Sequence, residues 1–243
     1  QTRAEAVKPY YARFLAAFPH VRALAEAPLD AVYKHWEGLG YYSRARNLHR
    51  AAQEIVTKYD GNLPRTRDAL MTLPGIGAYA AGAIASIAFG ERVPALDGNQ
   101  ARVLSRLYCI DAPLKSPADL YPLALSLVPE SAPGDYNQAL MDLGALICLP
   151  KNPRCEACPL SALCAAHREG RERELPRKPP KADKRRERRG VAIVLSGGCA
   201  LVRRRSETGL LAGLYEFPNF LDACDAASLT ECLEEAGLSV RPG

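Results

Sequence analysis

The stretch that decides the fold runs from Leu73 to Asn99 and has the sequence LPGIGAYAAGAIASIAFGERVPALDGN. It opens on a predicted tight turn, and Ala78–Phe89 then carries apolar residues at helical spacing. Gly75 and Gly77 let backbone N–H groups come close to a ligand, and the following helix directs its positive end there. Such a turn can bind a phosphate without distinguishing base sequence. On these residues alone, an ordinary connection between two helices explains the turn equally well.

Outward from this stretch, the chain up to about residue 147 is predicted to be helical. Apolar residues recur at helical spacing, prolines and glycines separate the segments, and alternating strand patterns do not occur. The other predicted helices are Val7–Phe18, Leu29–Leu39, Ala45–Tyr59, Arg67–Met71, Gln100–Tyr108, Leu120–Leu127 and Asn137–Ile147. This part of the chain is therefore expected to be all-α.

Asp97 is a charged residue in an otherwise apolar surrounding, where a carboxylate needs a reason. One reason is structural, because an Asp at this place can cap the helix predicted to begin at Gln100 or can start an Asx-turn. The residues of this segment alone do not decide between that role and a chemical one.

Four cysteines crowd into residues 148–164, CLPKNPRCEACPLSALC. Cys148, Cys155, Cys158 and Cys164 give the spacing C-x6-C-x2-C-x5-C, and four thiolates in a tight loop can hold Zn²⁺ or a 4Fe–4S cluster. The spacing differs from the paired pattern of a zinc ribbon, which favours iron–sulfur modestly. Four unrelated buried thiols are the alternative. A chain of 243 residues has little need of a disulfide framework, so a reducing compartment is expected.

The overall charge is mildly basic, +5 with a pI of about 8.8, which permits an anionic partner without identifying one. No apolar run reaches the roughly 20 residues that span a bilayer, and no secretory signal is present at the start. Residues 171–189 hold ten Lys or Arg against four Asp or Glu, which predicts an extended linker. This linker is interpreted equally well as a tether along nucleic-acid phosphates or as a solvated spacer.

After Gly190 the pattern becomes that of a small α+β domain. Val191–Leu195 and Ala200–Arg203 are predicted strands joined by a turn at Ser196–Gly198, and Leu229–Ala236 is a predicted helix. Roughly fifty residues with exposed strand edges are expected to close a sheet poorly.

The order of these features resembles that of the endonuclease III superfamily of helix-hairpin-helix DNA glycosylases. The turn LPGIG comes first, Asp97 follows twenty residues after Gly77, and the cysteine loop follows the helix YNQALMDLGALIC. The resemblance implies a mainly α fold, a 4Fe–4S cluster held by the four cysteines, and duplex DNA as partner. The residues then expected to meet DNA phosphates are Gly75 and Gly77 in the hairpin and Lys151 and Arg154 in the cysteine loop.

The same resemblance makes Asp97 the catalytic aspartate. Breaking a nucleoside C–N bond develops positive charge on the sugar, and a carboxylate can stabilise that cation or add to it. Asn99 is placed to help position Asp97 and the sugar. Bifunctional members carry, two residues beyond the second hairpin glycine, a Lys that forms a Schiff base. Here that position is Tyr79, so the resemblance implies an active-site tyrosine and release of the base without strand cleavage.

The segment GLGYYSRARNL, residues 38–48, is very similar to one found in MutY-type adenine DNA glycosylases. Its chemistry is a turn with two aromatic residues beside two arginines, which can wedge into a base stack and hold phosphates. A core tyrosine pair with two surface charges is the alternative. The resemblance makes Tyr41 the residue that intercalates beside 8-oxoguanine. The residues expected to contact DNA at this end of the chain are Gln1, Thr2, Tyr41, Arg44 and Arg46.

The C-terminal part resembles the MutT-like domain that MutY-type proteins append. GLLAGLYEFP, residues 209–218, matches its early segment, and LTECLEEAGL, residues 229–238, faintly matches the Nudix helix. Thr230 stands where the Nudix helix has Arg, and Glu216 where an upstream Gly is expected. The Mg²⁺-binding constellation is therefore degenerate, and recognition of the damaged base is expected instead of hydrolysis.

One element of the family's mechanism is missing from the chain. The family carries, a few residues upstream of the pair held here by Gln1 and Thr2, a catalytic Glu that protonates adenine. No residue of this chain takes that role. The chain is accordingly interpreted as truncated at both ends, and the fragment is expected to excise little or nothing alone.

The sequence predicts three parts: a glycosylase domain over residues 1–165 with its cluster loop at 148–164, a basic linker over 166–189, and a partial Nudix-like domain over 190–243. The predicted function is base excision repair by a monomeric, monofunctional enzyme. It hydrolyses the N-glycosidic bond of adenine opposite 8-oxoguanine or guanine, in the cytoplasm at the nucleoid and away from membranes. The alternatives are an endonuclease III-like pyrimidine glycosylase, a non-catalytic iron–sulfur DNA-binding protein and a Nudix hydrolase.

Overall fold

A computed structural model describes residues 4–180, 186–206, 208–209, 211–223 and 225–241. The chain divides into two compact units. The larger comprises Gln1–Gly40 and Arg44–Pro180, and the smaller comprises Tyr41–Ser43 and Lys181–Gly243.

The larger unit is helical throughout, as the spacing of apolar residues predicted. Its α-helices are α1 Ala4–Ala17, α2 Val21–Glu26, α3 Leu29–Trp36, α4 Tyr42–Tyr59 (assigned to this unit from Arg44 onward), α5 Arg67–Met71, α6 Ala78–Phe89, α7 Gly98–Leu107, α8 Tyr121–Leu127, α9 Pro133–Asp142 and α10 Ala165–Arg168. Single 3₁₀ turns occur at Pro117–Leu120, Cys155–Ala157 and Ser161–Leu163, and a π-helical turn, Leu143–Ile147, follows α9.

Helix α6 contributes to a hydrophobic cluster with residues of α4 and α5, and its small apolar side chains allow this close packing. Ala81 and Ala85 are fully buried against Leu70 and Leu73 from the α5 side. A Cβ added at Gly134 of α9 would lie 2.8 Å from the Ile87 Cα, so the backbones of α6 and α9 touch. Larger side chains would separate these helices.

Helix α7 is buried on nearly all sides, with Gln100 to Arg106 all buried. It packs against α9, against the π-helical turn and against α10. Several of its buried side chains are polar or charged, and such groups require partners inside the protein. Those partners lie on α9, in the π-helical turn, in the cysteine loop and at Leu175.

The smaller unit contains short antiparallel ladders. Strand β1 (Arg189–Val191) pairs with β6 (Asn219–Leu221), β2 (Leu195–Ser196) with β3 (Cys199–Ala200), and β4 (Arg203–Arg204) with β5 (Tyr215–Glu216). In the part of this unit that the structure describes, each ladder has two strands only.

The predicted strands and helix of this unit are shifted in the structure. The predicted turn joins β2 and β3, but the predicted strand Val191–Leu195 is divided because its first residue pairs with β6 instead. Helix α11, Ala226–Glu235, begins earlier than predicted because the Asp225 side chain caps it, accepting the Ser228 N–H at 2.8 Å. These short ladders do not confirm a Nudix-like fold.

Among the described residues, no helix has both the length and the apolar character needed to cross a membrane.

Candidate active site and cluster-binding loop

The turn between α5 and α6 presents backbone donors to solvent. One backbone hydrogen bond, from the Ile76 N–H to the Leu73 carbonyl at 3.2 Å, closes it. Leu73 is buried, whereas Gly75 and Gly77 are exposed. Gly77 is the N-cap of α6 and has no side chain to cap it. Because the first N–H groups of a helix lack acceptors within the helix, this turn can bind an anion.

Gly75 is the position of this turn where we expect substitution to be least tolerated. Its φ is +77°, and an added Cβ would lie 2.6 Å from the Asn47 Cβ on α4. Gly75→Ala should weaken binding to duplex DNA about tenfold, because both the left-handed backbone and the contact with α4 displace the turn. Fluorescence anisotropy with a labelled duplex measures this affinity.

The double variant Gly75→Ala with Asn47→Gly separates the two causes, since only glycine at position 47 removes the Cβ that lies 2.6 Å away, and the backbone strain at position 75 is kept. Asn47→Gly alone is its reference. Partial recovery of affinity assigns the recovered part to the contact with α4. An affinity equal to that of the parent chain in the single variant would contradict the prediction.

Asp97 is half-buried and is the N-cap of α7. Its Oδ1 accepts the backbone N–H groups of Asn99 and Gln100, both at 2.8 Å, and its Oδ2 accepts Asn99 Nδ2 at 3.0 Å. The capping role suggested by the sequence is thus observed. It does not compete with a chemical role, because capping holds the carboxylate in one orientation while part of the side chain remains open to solvent.

Tyr79 lies in the first turn of α6 and its side chain is 44% exposed. Its hydroxyl donates to the Met141 Sδ at 3.7 Å. Burial, and after it the charge of Asp97, raises the pKa of the Tyr79 phenol, so the hydroxyl stays protonated at neutral pH. The structure therefore brings Tyr79 and Asp97 into one electrostatic environment, although twenty residues separate the hairpin from Asp97.

A chain of hydrogen bonds runs from Asp97 to the first cysteine. Asn99, bonded to Asp97, accepts Arg102 Nη2 through its Oδ1 at 2.9 Å. Arg102 donates further to the Gly144 carbonyl at 2.6 Å and, through Nε, to the Cys148 carbonyl at 2.7 Å. Arg102 is buried, and this burial lowers the pKa of its guanidinium. The sequence analysis did not assign Arg102 any role.

The four cysteines of residues 148–164 line one small cavity, and Arg106 lines it with them. Each cysteine in the described part of the chain is a free thiol. Cys148 and Cys158 also pack against the apolar cluster of Val103 and Leu140, which anchors the loop to the helices.

Arg106, near the end of α7, is buried beside this loop, with 2% of its surface exposed. Its Nη1 donates to the Cys148 Sγ at 3.2 Å and to the Leu149 carbonyl at 2.8 Å. Its Nη2 donates to the Pro150 carbonyl and its Nε to the Leu175 carbonyl, both at 3.0 Å. The sequence signal for Arg102 and Arg106 is two arginines four residues apart on one face of a predicted helix.

Cys155 has a different polar environment from Cys148. Its Sγ lies 3.7 Å from the Glu172 Oε1, which also makes a 2.6 Å hydrogen bond with His167 Nδ1. Burial, and next the charge of Glu172, raises the pKa of the Cys155 thiol to about 11. A metal bound through Cys155 must therefore displace a proton.

This donor set fits an iron–sulfur cluster. Four thiols converge on one cavity, and thiolates are the ligands that iron–sulfur clusters use. The guanidinium of Arg106 at the Cys148 Sγ offsets part of the negative charge of such a site.

The remaining predicted DNA contacts lie at the surface or outside the described residues. Tyr41 is 74% exposed and has a φ of +49°, an uncommon conformation for a side chain of this size. The guanidinium of Arg44 lies 5.4 Å from the centroid of the Trp36 ring and is half-buried. Arg46 is half-buried, Lys151 and Arg154 are exposed, and Gln1 and Thr2 fall outside the described residues.

Comparison with family models matches two parts of the chain. Residues 1–129 match the model of the HhH-GPD superfamily base excision DNA repair protein. Residues 148–164 match the iron–sulfur binding domain of endonuclease III. The second match coincides with the four-cysteine loop, and it supports a 4Fe–4S cluster as the cofactor.

Among individual proteins, the chain is 36% identical to the adenine DNA glycosylase of Mus musculus over 90% of this chain and 52% of that protein. It is 35% identical to the adenine DNA glycosylase of Buchnera aphidicola subsp. Baizongia pistaciae over 94% and 66% of the two proteins. The chain thus spans about half the length of the mouse protein.

Among solved structures, a thermostable thymine-DNA glycosylase superposes with a TM-score of 0.64 and 32% identity over 69% of this chain and 79% of that chain. An endonuclease III in a non-covalent complex with DNA superposes with a TM-score of 0.59 and 26% identity, over 68% and 78% of the two chains. These similarities confirm the mainly helical fold that the order of motifs implied.

Proposed function

This chain belongs to the HhH-GPD superfamily of base excision DNA repair proteins, and we propose that it is part of a monofunctional adenine DNA glycosylase. The observation that carries the proposal is the position of Asp97. Its carboxylate is oriented at the N-terminus of α7. Tyr79, two residues beyond the hairpin, contacts Met141 of α9, and the π-helical turn that continues α9 packs on Asn99, the partner of Asp97. A backbone phosphate bound at the hairpin would bring a neighbouring deoxyribose towards this carboxylate.

In the proposed reaction, the target adenine leaves the base stack and enters the site. The N-glycosidic bond then breaks with its electron pair going to the base, and the sugar acquires oxocarbenium character. The Asp97 carboxylate stabilises that positive charge, and Asn99 holds the carboxylate through its 3.0 Å bond to Oδ2. Water then adds to the sugar carbon and loses a proton while the departing adenine takes up one, which leaves free adenine and an abasic site in an intact strand.

Tyr79 accounts for the proposed lack of strand cleavage. A lyase of this superfamily needs an amine at this position to form a Schiff base with the sugar. The phenol of Tyr79 cannot form that imine, and its raised pKa keeps it protonated. We assign it to the wall of the site, beside Met141 and facing Asp97.

The cluster is proposed to have a structural part in this reaction. Cys148, Cys155, Cys158 and Cys164 would hold it, and when bound it would order the loop without taking part in glycosidic bond cleavage. An ordered loop presents exposed Lys151 and Arg154 to DNA phosphates, which position the duplex but carry no sequence information.

Recognition of the mispair is proposed to involve residues away from Asp97. Tyr41 is an exposed aromatic residue that can insert beside the base opposite the adenine, 8-oxoguanine or guanine. The smaller unit is proposed to act as a MutT-like reader of that base. The proposed enzyme acts as a monomer on duplex DNA in the cytoplasm, at the nucleoid.

Single-turnover release of adenine from a duplex with adenine opposite 8-oxoguanine tests this function. The chain is assayed together with the upstream segment that supplies the family's acidic residue. Release without strand breakage until alkali is added is the expected result. Release of a pyrimidine from a second duplex would favour an endonuclease III-like enzyme. DNA binding with a loaded cluster and no release of any base would favour a non-catalytic binding protein.

A further inference from the structure

Asn137 on α9 is a polar side chain with no exposed surface, and all its hydrogen bonds are directed at one irregular segment and its neighbours. Its Oδ1 accepts the Ala95 N–H at 2.9 Å. Its Nδ2 donates to the Val93 carbonyl and to the Ser86 Oγ, both at 2.9 Å. The amide is therefore fully used, since both donor hydrogens and the oxygen have partners.

The segment that Asn137 holds is Val93–Leu96, which leads directly into Asp97. All four residues are buried, yet the segment belongs to no helix or strand. Buried backbone groups without a regular partner need one from a side chain. Asn137 supplies it as a neighbouring strand would, bonding a carbonyl and an N–H two residues apart. It thereby defines the register of this segment against α9.

The segment also packs on α6. A Cβ added at Gly82 would lie 2.2 Å from the Pro94 carbonyl oxygen and 3.2 Å from the Ala95 Cα. The backbone of α6 therefore packs directly on the segment. Because the segment is in contact with the α6 backbone and is hydrogen-bonded by Asn137, it has little freedom to move.

Gln100 links Asn137 directly to the carboxylate of Asp97. Its Nε2 donates to the Asn137 carbonyl at 3.1 Å, and its backbone N–H donates to Asp97 Oδ1 at 2.8 Å. Gln100 is 1% exposed, so these bonds do not compete with water. Asp97 is thus tied to Asn137 through the backbone of Val93–Leu96 and, separately, through Gln100.

We propose that Asn137 is a positioning residue that sets where the Asp97 carboxylate stands relative to the reacting sugar. The proposal rests on the proposed glycosylase function. It differs from a general stabilising role in one respect. A displaced Asp97 loses interaction with a cationic sugar specifically, whereas a loosened fold weakens binding to every DNA ligand.

The test compares two duplexes that need no turnover. One carries a cationic pyrrolidine in place of the target deoxyribose, as a mimic of the charged sugar, and the other carries a neutral tetrahydrofuran. The ratio of the two dissociation constants measures how strongly the Asp97 carboxylate interacts with the positive charge of the sugar mimic. We expect Asn137→Ala to reduce the preference of the parent protein for the cationic duplex about tenfold or more, because small displacements of a charged group cost this much. Affinity for the neutral duplex should stay within about threefold.

A second variant disturbs the same segment through its contact with α6. Gly82→Ala introduces a Cβ against the Pro94 carbonyl and should reduce the same preference, so the test survives if Asn137→Ala does not fold. Gln138→Ala is the matched control, because Gln138 is the exposed neighbour on the same helix. Val32→Ala, in a separate hydrophobic cluster, controls for lost stability. Neither control should change the preference.

Three outcomes are informative. A parent protein with no preference for the cationic duplex overturns the assignment of Asp97, and with it the proposed function. A parent preference that survives both Asn137→Ala and Gly82→Ala overturns the positioning role alone. The positioning role is also overturned if Asn137→Ala lowers the affinity for both duplexes equally and Val32→Ala, at the same loss of melting temperature, lowers them by the same amount. Hydrogen exchange of the Ala95 amide, which should accelerate in Asn137→Ala, confirms that the intended bond is lost.

Discussion

Asp97→Asn is expected to lower the single-turnover rate of adenine release about a thousandfold, which corresponds to about 4 kcal/mol of transition-state stabilisation. The substitution removes the negative charge that faces the cationic sugar. It retains an oxygen that accepts the N–H groups of Asn99 and Gln100, so α7 keeps its cap. The rate is measured with the same extended form of the chain as in the adenine-release assay, in excess over a duplex that carries adenine opposite 8-oxoguanine.

Asp225→Asn is the matched control for this experiment. Asp225 caps α11 with the same geometry, accepting the Ser228 N–H at 2.8 Å, and lies in the smaller unit. The same chemical change there should leave both rate and fold unaltered. A rate for Asp97→Asn within about tenfold of the parent would mean that another group stabilises the sugar cation.

Arg106→Leu is expected to give the largest loss of stability. The buried guanidinium donates to the carbonyls of Leu149, Pro150 and Leu175, and leucine leaves all three without a donor. The full cost of about 1–3 kcal/mol for an unsatisfied group applies to the buried Leu175 carbonyl, and water can reach the carbonyl of exposed Pro150, so the free energy of unfolding should fall by about 2 kcal/mol or more. Urea unfolding followed by circular dichroism measures this change, and iron content per protein measures the effect on the cysteine loop.

Arg106→Lys distinguishes the lost charge from the lost geometry. Lysine keeps the charge but cannot reach three carbonyls and the Cys148 Sγ with one ammonium group, so an intermediate loss is expected. Arg50→Leu, at an exposed position of α4, is the control for replacing an arginine by leucine. Iron content and stability of Arg106→Leu equal to those of Arg50→Leu would show that the buried network is not needed.

Much of the helical unit could be predicted from sequence because its signals are local. The bounds of α5 and α6 agree with those predicted, since Thr66 caps one helix and Gly90 ends the other with a left-handed backbone. Helix α2 was missed because six residues are too few to show a periodic pattern.

The end of α9 also departs from the prediction, for a tertiary reason. Asn137–Ile147 was predicted as one helix, but the α-helix runs from Pro133 to Asp142 and continues as a π-helical turn. A Cβ at Gly144 would lie 2.7 Å from the Asn99 Cβ, so the backbone there packs directly against the start of α7. This contact is not visible in the spacing of apolar residues.

The hairpin, the capping aspartate and the group of four cysteines could be predicted from the sequence, because each depends on residues close together in the chain. The tertiary structure alone decided which buried polar groups meet. Ala95 bonds to a side chain 42 positions away, and Arg106 to a carbonyl 69 positions away. A buried donor requires an acceptor, but the sequence does not show which residue supplies it. The packing of α6, α7 and α9 selects the partner, and that choice sets the position of Asp97.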